Sequence, residues 1–97
     1  MSASTKGIRG RFRLGQAMAT PGALQVLEST RTSPLALLCR HQSGDWGDVS
    51  TEDARENEFS VEKGFRILSS YRVGDEKLWV ITEADRSVTT ILRPDEY

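Results

Sequence analysis

The sequence predicts an α+β domain in which two or three short helices pack on one face of a C-terminal three-stranded antiparallel meander. Three observations predict it. Hydroxyl–proline pairs at Thr20–Pro21 and Ser33–Pro34 mark two helix starts, and Ser50 marks a third. From Phe65 onward the apolar period changes to that of strands. The β-rich runs are also separated by short polar turns, so neighbouring strands must be antiparallel.

Ninety-seven residues suffice for one core and are too few for two. Residues 1–10, MSASTKGIRG, are small and polar and predict a flexible basic arm ahead of a single domain over 11–97. The arm and its continuation carry Lys6, Arg9, Arg11 and Arg13, which could touch phosphate, but only Phe12 offers a base a stacking surface. Phe12 and Leu14 then alternate with Arg11 and Arg13, the pattern of a short strand or an extended lead-in up to Ala17.

Thr20 can cap a helix and Pro21 can fill its first position, where the missing N–H costs nothing. That helix, Gly22 to about Ser29, aligns Ala23, Val26 and Leu27, with Leu24 beside them. The second, Leu35 to about His41, is apolar nearly all round; Leu35, Leu38 and Cys39 share one face, and a central place in the core is expected. A third helix starts at Ser50 with Asp53 in a near capping box, takes Phe59 and Val61 as its apolar anchors, and ends at Gly64. The runs FRILSSYR, KLWVITEA and VTTILR follow, joined by the turns VGDE and DRS. Leu78 and Val80 on one face, Trp79 and Ile81 on the other, put the middle run at the centre of the sheet, and Pro94 stops the last.

The formal charge is only -1, but it is unevenly spread. Residues 1–40 hold six Lys or Arg and one acid, whereas residues 41–97 hold seven and thirteen. Between Asp45 and Glu62 seven carboxylates accompany a single base, Arg55. An acidic face is therefore expected, built from Asp45, Asp48, Glu52, Asp53 and Glu56, with Trp46 among them as a binding residue. The single cysteine, Cys39, excludes an internal disulfide and fits a reducing cytoplasm. No apolar run is long enough for a signal peptide or membrane span, so no membrane partner is expected.

The stretch Arg40 to Asp48, RHQSGDWGD, holds the only His and one of the two Trp. His41 with Asp45 and Asp48 could in principle hold a divalent cation, but the spacing fits no established pattern, so no metal and no cofactor are expected. The structural reading has His41 closing the second helix at the negative end of its dipole, with Trp46 dropped into the core. Alanine at 41 should then cost little, and alanine at 46 about 3 to 5 kcal/mol.

A second cluster lies at TEADRSVTT, residues 82–90. His41 or Glu83 as general acid or base, with Arg66 and Arg86 balancing phosphate charge, would make a small ribonuclease of the barnase and RelE type. Asp85 and Arg86 at the same hairpin tip could instead belong to a binding surface. Cys39 and His41 point about 200° apart on a helix and cannot pair as a nucleophile and base. No phosphate-binding loop, HExxH sequence or basic recognition helix is present.

The segments FRLGQAMATPGAL, LLCRHQSGDWGDV, FRILSSY and LWVITEADRSVTTILRPDEY resemble a family of small bacterial, plasmid- or phage-associated proteins of unassigned activity, over about Phe12 to Tyr97. Some members are labelled type I restriction subunits. That label implies an adenine methyltransferase, yet this chain has neither the length for a nucleotide-binding Rossmann sheet nor an Asn-Pro-Pro motif. What the resemblance implies is a mobile-element context. The combined expectation is a small non-enzymatic binding protein acting on a host protein complex as an anti-CRISPR or anti-restriction inhibitor. Direct nucleic-acid binding is the lesser expectation. An exposed edge of the meander would also allow a homodimer, unless Arg66, Arg72 and Arg93 protect it.

Overall fold

Each of the three helices begins where a hydroxyl side chain can replace a missing backbone partner. Thr20 accepts from the Ala23 N–H at 3.1 Å, Ser33 from Leu35 at 3.2 Å and Ser50 from Asp53 at 3.0 Å. In the computed structural model, which describes residues 10–97, these caps open α1 (Pro21–Ser29), α2 (Pro34–Ser43) and α3 (Thr51–Lys63). Gly44 and Gly64 end the last two in the left-handed region, at φ 93° and 81°. The basic arm expected over 1–10 lies, but for Gly10, outside the described residues.

Among the described residues the fold is mixed α/β with three helices and a four-stranded sheet. The meander is present as β2 (Ile67–Val73), β3 (Glu76–Thr82) and β4 (Val88–Leu92). A fourth strand, β1 (Gln16–Ala19), pairs with β4 in parallel, giving the order β1-β4-β3-β2. The expectation of a purely antiparallel, wholly C-terminal sheet is thus corrected. The strand expected within Arg11 to Ala17 forms instead over Gln16–Ala19, because only there does the chain run alongside Val88 to Ile91.

Strand alternation sorts the sheet into two faces. Tyr71, Val73, Leu78, Val80 and Ile91 point to one, where Ala23, Val26 and Leu27 of α1 and Leu37 and Leu38 of α2 complete the apolar core. The buried stripe of α2 is Leu37, Leu38 and His41; Leu35, expected inside, is 63% exposed. On the opposite face Ile81 and Leu92 are buried, and Trp79 meets Tyr97 edge to face beside the short 3-10 turn Pro94–Glu96.

α3 does not join the other two helices on that face. It lies beside β2, with Asn57 and Ser60 buried and Phe59, an expected anchor, half exposed against Phe65. The reason is visible at the strand's edge. The Asn57 amide donates to the Leu68 carbonyl at 2.8 Å and accepts from the Leu68 N–H at 3.1 Å. Two residues on, Ser70 donates to the Trp46 carbonyl at 3.0 Å and accepts from Asp48 at 2.6 Å. A helix that packs against backbone edges needs an amide there, not an aliphatic stripe.

Candidate functional site

RHQSGDWGD connects α2 to the edge of β2, and its side chains divide into an inner and an outer set. Gly47 makes the crossing possible: its φ is 76°, and a Cβ there would lie 2.2 Å from the Ser70 carbonyl oxygen. The Tyr71 hydroxyl donates to the Asp45 carbonyl at 2.6 Å and fixes the same turn from below.

The inner set centres on His41, which is 0% exposed. Its Nδ1 lies 2.6 Å from the Ser69 hydroxyl and its Nε2 2.9 Å from that of Thr82, which lies 2.7 Å from Thr89. Thr89 in turn donates to the Leu14 carbonyl at 2.7 Å. A hydroxyl has one proton, so the carbonyl at the end sets every direction in the row. Thr89 spends its proton on Leu14 and must accept from Thr82; Thr82 must therefore accept from the imidazole. His41 is neutral with its proton on Nε2, and Ser69 donates to Nδ1. Burial first, and the neighbouring Arg86 cation second, push the His41 pKa down to about 3.

Above the imidazole, Phe12 makes an edge contact with centroids 5.2 Å apart, and Trp46 a second at 6.1 Å. Phe12 is held by Gln42, whose side-chain amide donates to its carbonyl at 2.7 Å. Trp46 is 6% exposed, stacks on Phe12 and donates to Glu58 at 3.1 Å. Two expectations need correcting. Trp46 is the core anchor that the structural reading expects, and what is corrected is its place among the binding residues, since it offers almost no surface to a partner. His41 is no peripheral helix cap but a fully buried, doubly bonded side chain, so its loss cannot be cheap.

The proposed ribonuclease set gathers at one end of the sheet, yet it does not share a cleft. His41 is sealed beneath Phe12, whereas Glu83 is exposed. Arg86 spends its guanidinium on carbonyls of Ser60, Phe65, Glu83 and Ala84, pinning the end of α3 to the β3–β4 turn. Arg66 instead reaches the Tyr97 hydroxyl. Asp85 accepts from the Ser87 N–H at 3.0 Å, and hydrogen bonds from Ser87 hold its carboxyl below the ordinary range. The cation reading also separates: His41 faces inward, Asp45 pairs with Arg40 at 2.6 Å, and Asp48 with Lys77 at 3.2 Å. The Arg40 hydrogen bond lowers the Asp45 pKa.

The outer set is acidic. Glu52, Asp53 and Glu56 are exposed on α3, and no ion pair among the described residues involves them. Asp53 and Glu56 wall a cleft of about 200 Å³ whose far side is Arg66 and Leu68. Asp53 and Leu68 also line a second cleft of about 330 Å³, which has Val49, Trp79 and Pro94 as apolar lining and Asp48 and Lys77 at its rim. Sequence reading missed Leu68, Lys77 and Trp79 as neighbours of the acids, since only the β2–β3 register brings them to α3. It also missed Ser69, and it placed Thr82 and Thr89 in the 82–90 cluster without joining them to His41; a polar residue recurring on the apolar side of each strand was the available signal.

No helix among the described residues is long and apolar enough to cross a membrane. Comparison with known protein families, curated proteins and solved structures finds no match for this chain.

Proposed function

We propose that the protein is a small non-enzymatic binding protein that docks its acidic helix on the basic, nucleic-acid-binding surface of a host protein complex. The target we infer is a defence complex of the restriction or CRISPR type, in keeping with the mobile-element resemblance of RHQSGDWGD and LWVITEADRSVTTILRPDEY. One observation carries the reading. Glu52, Asp53 and Glu56 stand exposed along one side of α3 and form no ion pair among the described residues, and Asp53 and Glu56 line clefts that reach Leu68 and, beside Asp53, Trp79. Carboxylates give long-range attraction and specificity, and the apolar lining offers contact area to the stems of arginine or lysine side chains. The enzyme reading finds less support, because its only histidine is buried and its arginine at 86 is committed to carbonyls.

Affinity capture from host extract tests it. The tagged protein should retain a basic partner at about 0.1 M salt and release it at about 1 M, as the screening length falls from about 10 Å to about 3 Å. The combined variant Glu52→Gln, Asp53→Asn, Glu56→Gln should lose the partner while keeping its fold. Retention of the same partner by that variant would sink the proposal. So would cleavage of labelled RNA that disappears in Glu83→Ala.

A further inference from the structure

We propose that β1 is the seam of a symmetric homodimer, in which the β1 strands of two copies pair antiparallel and join their sheets into one of eight strands. The two edges of the sheet are treated differently. Along β2 the outward backbone groups of Leu68 and Ser70 are occupied by Asn57, Trp46 and Asp48. Along β1 the Gln16 and Thr20 N–H groups donate inward, to Ser87 and Ile91 at 2.9 and 3.0 Å. Alternation therefore turns the N–H and C=O of Ala17 and Ala19 outward, where the sheet ends among the described residues.

That spacing is self-complementary. With the two-fold axis at Met18, Ala17 of each copy faces Ala19 of the other, and each such pair can exchange two hydrogen bonds. Met18 then meets Met18 in the closer, non-hydrogen-bonded position. The edge from Gly15 to Thr20 carries no charge, so a copy meets no like-charge repulsion from itself. The side chains flanking it are what an interface needs. Met18, Leu24 and Leu35 are 52%, 53% and 63% exposed, and the latter two border an apolar cleft of about 290 Å³ above Ala17 and Ala19. Small alanines leave that space for the leucines of the opposing copy. The edge expected from the sequence to pair, that of the meander, is taken on one side by β1 and occupied on the other at Leu68 and Ser70.

Sedimentation across a concentration series should move the full chain from the mass of one copy to that of two. Met18→Lys, which sets like charges opposite each other, should raise the dimer dissociation constant by about tenfold or more. In a Cys39→Ser background, Met18→Cys should form a disulfide-linked dimer on mild oxidation, whereas Gln16→Cys should not, since residue 16 faces residue 20. The cysteine pair decides the matter even if the lysine variant fails to fold. One-copy mass at the highest soluble concentration, or equal cross-linking at 16 and 18, would overturn the proposal. So would a monomer that loses a captured partner on Met18→Lys, which would give the edge to a strand of another protein.

Discussion

The core has two ends that are held together by different means. Beneath α1, side chains such as Ala23, Val26, Leu78 and Ile91 pack without a polar atom among them. Beneath the end of α2, Ser69, Thr82 and Thr89 of the same sheet face join His41 of the helix in one hydrogen-bonded row. An apolar end tolerates some repacking, because dispersion and burial are non-directional. The polar end has one arrangement that satisfies every donor, so it specifies the docking of α2 and of the Leu14 segment more than it stabilises them.

The sharpest way to break the contrast is at its border. Trp46→Ala should destabilise by about 3 to 5 kcal/mol in chemical denaturation, as the loss of a buried indole. His41→Ala should follow at about 2 to 4 kcal/mol, because Ser69 and Thr82 would be left buried without partners. An equal loss for His41→Ala and an exposed-site control would show that the row contributes nothing. A third effect separates the ends by pH. The folded pKa of His41 lies at about 3, far below an unfolded value near 6.5. The unfolded chain therefore binds the extra proton first. Stability is complete above about pH 6.5 and falls toward pH 3, by up to about 1.4 kcal/mol per unit. His41 is the only histidine, so the slope between about pH 6.5 and 4.5 should vanish in His41→Gln. The smallest change belongs to the surface: Glu52→Gln and Glu56→Gln should each stay within about 0.5 kcal/mol.

Those magnitudes also mark what the sequence made legible. Helix starts were readable because a hydroxyl before a proline, or Ser50 before two acids, has a local mechanism. The three strands of the meander announced themselves by period and turn. β1 did not: QAMA has no alternation, and its partner strand is more than sixty residues away. The packing side of α3 was misread for a related reason. Phe59 looked like the anchor, but the surface α3 faces is a strand edge, for which Asn57 is the fitting residue. His41 was found as the chemically unusual residue and misplaced, since its partners Ser69 and Thr82 come from two later strands whose register fixes them. Asp45, Asp48, Glu52, Asp53 and Glu56, grouped by their density in the sequence, are all exposed, but Leu68 and Trp79 beside Asp53 were not legible.

The closure of the β2 edge bears on descent. Gly47 sits where any side chain would strike the Ser70 carbonyl, and both ends of the Asn57 amide are in use. These two positions have almost no freedom to drift, whereas the carboxylates of α3 can be exchanged or shuffled at little structural cost. A distant relative should therefore be recognised by a glycine and an asparagine set ten residues apart ahead of a β-hairpin, even after its acids have changed.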